Sequence, residues 1–301
     1  MNSSPVCGGP SFCLPPIPRA AARVEPFGQN GHEEKNRTRV PCRLRAKASV
    51  LSSQFPACRR RADQQPVHTA WGGHSLYQKF RSPSAGLPPE ERLQAELEQA
   101  QKKVNAGNEK SKKNDPLPTM DDVKKPYGMS YRNMMAEIKN LQDNYETLLP
   151  ALKGKKLEIA GFYWFQGFND QFGEYAPKEY AQNMKLFIKD VRKDLNVPNL
   201  PFVIAAIGTN MSKPASGGCA DVQNAQMSMN DVPEFKGNVK AFRTDLLVDK
   251  KAEELYKDWN KHVEEWKKVG SERAYHYLGS AIWYTRIGHA AGEAMLELMK
   301  K

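Results

Sequence analysis

The sequence predicts an α/β fold in which a parallel sheet is covered by helices on both faces. Three observations lead there. Apolar runs alternate with amphipathic helical stretches through the second half of the chain, the pattern of strand–helix–strand units. Phe202-Val203-Ile204-Ala205-Ala206-Ile207-Gly208 is apolar without interruption, as a strand buried on both faces must be. The run Leu157-Glu158-Ile159-Ala160-Gly161-Phe162-Tyr163-Trp164-Phe165 breaks into Gln166-Gly167 and then Asn169-Asp170. In open α/β sheets ligands bind outside the carboxyl ends of the strands, so a polar cluster at that place is a candidate site.

The elements follow in order from about Pro66. Val67 to Trp71 is a short apolar run stopped by Gly72-Gly73, which reads as a strand entering a tight turn. Pro89 to Val104 has a helical pattern, with Glu90 and Glu91 favourably placed at its start. Gly107 to Lys125 is charged and contains proline, and reads as an exposed insertion. Tyr131, Met134, Met135, Ile138, Leu141, Tyr145 and Leu148 recur at helical spacing and predict one amphipathic helix. After the strand at 157–165, Glu179 to Leu195 is a helix with Tyr180, Met184, Phe187, Ile188 and Val191 on its apolar face, closed off by Pro198 and Pro201. The second strand, 202–208, is followed by a short helix over Val222 to Met229 and a third strand over Asn238 to Phe242. Ala252 to Lys268 predicts a helix ending near Gly270. Gly279 to Met299 predicts a last helix, with Ile282, Ile287, Ala290, Ala294 and Leu298 facing inward.

Residues 1–65 differ from the rest. They are rich in Pro, Arg, Ser and Gly and lack apolar periodicity, which predicts a disordered or non-native basic extension ahead of a domain at 66–301. A misread start and a novel leader both account for such a segment. Of the whole chain's charge of +11, residues 1–65 hold 11 Lys and Arg against 4 Asp and Glu, while the remainder hold 34 against 30. The surplus therefore says little about the folded body, and without aromatic interleaving no nucleic-acid partner is expected. Phe12-Cys13-Leu14 is cut off by Pro15 and Pro16, so no secretory signal is visible. No run of about 18 apolar residues exists, and no membrane partner is expected. Cys7, Cys13, Cys42, Cys58 and Cys219 form no CxxC pair, which disfavours zinc, and four of the five lie in the first segment, which disfavours a disulfide framework.

Three clusters carry candidate chemistry: Trp71-Gly72-Gly73-His74-Ser75-Leu76, Gln166-Gly167-Phe168-Asn169-Asp170, and Glu272-Arg273-Ala274-Tyr275-His276-Tyr277. Singly each has a plain reading, as a turn, a strand end and a rim histidine. Together, the strings His-Thr-Ala-Trp-Gly-Gly-His-Ser-Leu (68–76), Trp-Phe-Gln-Gly-Phe-Asn-Asp (164–170), Leu-Pro-Phe-Val-Ile (200–204) and Tyr-His-Tyr-Leu-Gly-Ser-Ala (275–281), with Arg286-Ile287-Gly288 after them, resemble the sialate O-acetylesterase-like carbohydrate esterases of the SGNH hydrolase superfamily.

The resemblance implies a flavodoxin-like three-layer parallel sheet and removal of acetyl groups from sugar hydroxyls without a metal or organic cofactor, with an acetylated carbohydrate as partner and a place outside the cytoplasm. It implies that Gly72 or Gly73 gives an N–H to an oxyanion hole, that Gln166 gives a second donor, and that His276 is the catalytic histidine. Each such donor is worth about 3–4 kcal/mol in acyl transfer. The usual acid stands a few residues before the histidine. Here Arg273 holds the spacing of three, and Glu272 is the acid at hand. Trp71, Asn169 and Asp170 would shape the substrate cleft, and Trp71, Tyr77, Phe168 and Tyr175 are aromatic candidates for its walls. One departure is large. The Gly-Gln-Ser-Asn-Met-like nucleophile turn and the first strand leading into it are absent. Gly28-Gln29-Asn30-Gly31 puts an amide where serine should be, and Ser75 belongs to the glycine block. The expectation is an esterase crippled by loss of its nucleophile, or else a non-catalytic carbohydrate-binding pseudo-esterase.

Overall fold

The computed structural model describes residues 69–271 and 276–300, all within the unit Arg61–Lys301. The expectations for residues 1–65, for Val67 and for Glu272 lie outside the described residues. In chain order the elements are helices α1 (Glu90–Ser111), α2 (Met120–Lys124) and α3 (Met129–Leu148), strand β1 (Phe162–Trp164), α4 (Ala176–Asp194), β2 (Phe202–Ala206), α5 (Gly217–Met227), β3 (Val239–Arg243), α6 (Lys250–Tyr256), α7 (Val263–Val269) and α8 (Ala281–Met299). The sheet is parallel with order β1-β2-β3, and Phe162 stands beside Phe202 and Phe202 beside Val239. Among the described residues no strand pairs with the outer edge of β1.

The sheet has helices on both faces because successive side chains of β2 point opposite ways. Phe202 and Ile204 enter a core with α3, α4 and α5, whose buried members include Tyr131, Met184, Phe187, Ile188 and Val222. Val203 and Ala205 enter the other side, where α8 supplies Trp283, Ile287, Ala294 and Leu298, α6 supplies Ala252 and α7 supplies Trp266. All five residues of β2 are buried, as its unbroken apolar sequence demands. The expected α/β class with a parallel sheet is what forms.

Several boundaries differ from expectation. Residues 69–71 are not a strand. β1 is shorter than 157–165 because its partner begins only after Pro201: Phe162 N–H reaches Pro201 O at 2.8 Å, and a proline offers no N–H for further pairing. α1 runs on to Ser111, into the stretch read as an insertion, and α2 forms there with a capping box between Thr119 and Asp122. The helix expected over 252–268 is two helices. Asp258 and His262 leave the helical region (φ −142° and −128°), and the turn between them lets Trp259 and Trp266 both pack against the α8 side of the core. In α8 the inward face is as expected at Ile287, Ala294 and Leu298, which are buried, but differs at its start: Trp283 is fully buried, whereas Ile282 is 48% exposed.

Candidate active site at the carboxyl end of β1

β1 ends at Trp164, and the chain then leaves the sheet through Phe165, Gln166 and Gly167. Gly167 has φ +146°, and a Cβ there would lie 2.6 Å from Ile207 Cγ2. Only glycine lets the backbone turn this close to the loop after β2. A short 3-10 turn, Asn169–Gln171, follows. It is held from outside: a Cβ on Gly218, in the first turn of α5, would fall 2.0 Å from Gln171 O, so the helix presses directly on that backbone.

The first cluster comes to this place through Asp170. Its carboxylate is fully buried and accepts Leu76 N–H at 2.9 Å and Tyr77 N–H at 2.8 Å. Gln166 Nε2 donates to Asp170 Oδ2 at 2.6 Å and to His74 O at 2.9 Å. Burial pushes the Asp170 carboxyl up to about 6, and the donors from Gln166, Tyr77 and Leu76 limit the rise. Behind them the polar atoms are satisfied in series. Trp164 Nε1 and Gln226 Nε2 donate to Tyr180 OH, Tyr180 OH donates to Gln166 Oε1 at 3.2 Å, and Gln226 Oε1 accepts Ile207 N–H. A buried network of this kind fixes geometry because each broken link strands a polar group. Gly72 and Gly73 form an exposed turn ahead of it, with Gly73 at φ +77°, and nothing stands within 4 Å of either glycine's missing Cβ. Trp71 is half-buried and stacks with His74 at 6.2 Å between ring centroids.

The third cluster arrives by ring packing. Tyr277 is buried with its ring 5.1 Å from Phe165 and 4.9 Å from Trp283. Its hydroxyl accepts Gly208 N–H at 3.2 Å and lies 3.4 Å from Thr244 Oγ1, so it ties the histidine loop to the loops after β2 and β3. Burial raises the Tyr277 hydroxyl to about 12, leaving it neutral and able to hold both contacts. Tyr277, Leu278 and Gly279 all have positive φ (52°, 59° and 63°). Two non-glycine residues in that region are strained, and such strain persists only where the surroundings impose it. The turn leaves His276 exposed, with its ring 5.6 Å from Phe168 in an edge-on contact. Asn169 is exposed beside Phe168.

Among the sequence candidates, then, Trp71, Gly72 and Gly73 are joined to Gln166 and Asp170 by hydrogen bonds through their loop, and His276 is joined to the same segment through Phe168. Sequence reasoning missed a serine–histidine contact: His74 Nδ1 lies 2.7 Å from Ser130 Oγ. Burial and the neighbouring Lys79 hold His74 below the usual histidine range. Lys79 Nζ stands 3.4 Å from the other ring nitrogen, Nε2. Ser130 is fully buried and out of reach of solvent, which makes it an anchor for the glycine loop rather than a nucleophile. Ser75 Oγ is used locally, accepting Gln78 N–H at 3.1 Å. Among the described residues no three His, Cys, Asp or Glu side chains gather as metal ligands, and no helix is long and apolar enough to cross a membrane.

Residues 119–263 match the family described as carbohydrate esterase, sialic acid-specific acetylesterase. This stretch is sialate O-acetylesterase-like. The esterase-like stretch contains Gln166, Asn169 and Asp170, while Trp71, Gly72, Gly73, Glu272 and His276 stand outside it. A probable carbohydrate esterase of Arabidopsis thaliana is 36% identical over 73 residues, which are 24% of this chain and 26% of that protein. The chain therefore spans about a quarter of the length of that curated relative. No solved structure matches.

Proposed function

We propose that the carboxyl end of β1 is a site for cleaving acetyl esters on sugar hydroxyls. The observation that carries this reading is the meeting of the three clusters there, at residues 71–77, 166–170 and 276–277, through hydrogen bonds and ring contacts. In this chemistry His276 takes a proton from a water that attacks the acetyl carbonyl and returns it to the leaving sugar oxygen, so that acetic acid and the free sugar hydroxyl are formed, and the N–H groups of the Gly72-Gly73 turn stabilise the negative oxygen of the tetrahedral intermediate. Asp170 and Gln166 set the position of that turn. Glu272 is the acid that would orient His276. Ser130 and Ser75 are both engaged elsewhere, so the reading includes a slow reaction, limited by the nucleophile.

A second reading, sugar binding without hydrolysis, is favoured by one feature. Both amide hydrogens of Gln166 are donated inside the protein, to His74 O and Asp170 Oδ2, which leaves none for an oxyanion unless one contact is exchanged. Hydrolysis of 4-nitrophenyl acetate by the 301-residue chain and by His276→Ala separates the two. Turnover that the substitution lowers by about a hundredfold or more supports the esterase and ends the binding-only reading. Turnover unchanged in His276→Ala removes His276 from the mechanism. No turnover, with an acetylated sugar still bound, favours the second reading.

A further inference from the structure

The aromatic side chains at this end of the sheet are not equally available to a ligand. Trp71 is stacked with His74 and packed against Phe80. Tyr77 has the Arg81 guanidinium over its ring and Tyr127 at its edge. Tyr175 has the Arg92 guanidinium 3.8 Å from its centroid. Phe172 differs. At 58% it is the most exposed Phe, Tyr or Trp among the described residues, and its ring contact is with Phe168, edge-to-face at 5.5 Å.

This exposed ring is also placed with care. It follows directly on the Asn169–Gln171 turn, whose middle residue is the buried Asp170 and whose last carbonyl bears the first turn of α5. A single exposed phenylalanine is ordinary on a protein surface, so what gives this one a role is its anchored turn and its contact with Phe168. Phe168 lies between it and the candidate histidine: the centroid separations are 5.5 Å to Phe172 and 5.6 Å to His276, so the outer two rings stand at most 11.1 Å apart.

We propose that Phe172, backed by Phe168, is the platform on which the ring of an acetylated sugar lies, with its ester directed toward His276. The proposal rests on the esterase-type reading of the site and adds to it the subsite that holds the sugar. One face of a pyranose presents C–H bonds whose positive ends meet the negative face of a phenyl ring. The contact is apolar and indifferent to the pattern of hydroxyls. It suits pyranose esters generally, while polar groups around the platform would choose among them.

The test is an NMR titration of the protein with mono-acetylated methyl xyloside and, separately, with O-acetylated sialic acid. Phe172→Ala should weaken binding of at least one of them about tenfold, and Phe172→Trp should restore it. Leu117→Ala, an exposed apolar change in the connection between α1 and α2, should leave binding as it was. Binding unaltered in Phe172→Ala, or absent for both sugars in the unsubstituted protein, overturns the proposal. Hydrolysis of 4-nitrophenyl acetate, which carries no sugar, reports on the esterase reading alone. Turnover with Phe172-independent sugar binding defeats the platform and spares the esterase, and Phe172-dependent binding without turnover does the reverse.

Discussion

Taking a carboxylate out of water costs several kcal/mol unless donors replace the lost hydration. Asp170 obtains three, from Leu76, Tyr77 and Gln166, yet its carboxyl still rises from an ordinary 3.8 to about 6. The sign of its effect on stability follows. A carboxyl with a raised folded value binds its proton more tightly in the folded state than in the unfolded one. That contribution is complete below about pH 4 and is lost as pH rises through about 6. Two units correspond to about 3 kcal/mol. Urea unfolding of the wild type and of Asp170→Asn should therefore show a stability difference that moves against the wild type by roughly 2–3 kcal/mol between pH 4 and pH 7. A difference that stays flat across this range would mean the carboxylate is stabilised better than its burial allows. Asp170 is also where sequence reading stops. A polar residue after an apolar run announces an edge, but the partners that give it a positioning role lie 94 and 93 residues away in the chain. Nothing local distinguishes a carboxylate that meets substrate from one that holds a loop.

Among the elements, two glycines in helices make opposite predictions. Gly218 lies where α5 presses on the turn carrying Phe172, with Gln171 O only 2.0 Å from the place of a Cβ. Gly218→Ala must push helix and turn apart, at a cost of about 1–3 kcal/mol, with loss of sugar binding alongside. Gly288 lies in α8 with nothing within 4 Å. Gly288→Ala should stabilise by about 0.5–1 kcal/mol, because alanine loses less backbone freedom in a helix. Thermal melts of both decide the matter, and a lower midpoint for Gly288→Ala would refute the account of α8. The same elements show what sequence pattern could and could not give. α3 and α4 were legible because their apolar positions recur at the helical period, and β2 because its run is apolar throughout. The inward face of α8 was read correctly at Ile287, Ala294 and Leu298 and missed at Ile282, since Ile282 and Trp283 are both apolar and only packing against Tyr277 chooses the tryptophan. The break between α6 and α7 was invisible because it serves two tryptophans that must reach one cluster. The convergence of the glycine turn, Gln166 and His276 was legible only through resemblance. Periodicity places strands in order but does not say which loops touch.

For the molecule as a whole, the sheet is thin and its two apolar layers are largely distinct. Ile188 of α4 belongs to the layer that meets Phe202 and Ile204, and Ile287 of α8 to the layer that meets Ala205. Both are almost fully buried, and the two clusters share no residue. Side chains that share no partner contribute independently to stability, whereas cooperative unfolding requires both layers to be lost together. These two statements can hold at once only if β2 joins the layers without passing on small changes in packing. Ile188→Val and Ile287→Val should each cost about 0.5–1.5 kcal/mol. Combined, they should cost the sum to within about 0.5 kcal/mol, in a single unfolding transition with an unchanged denaturant slope. A second transition in the double variant would mean that the layers unfold separately. A shortfall larger than that margin would mean that strain crosses β2, and the site at the carboxyl end of β1, built from contacts to both layers, would then sense substitutions on either face.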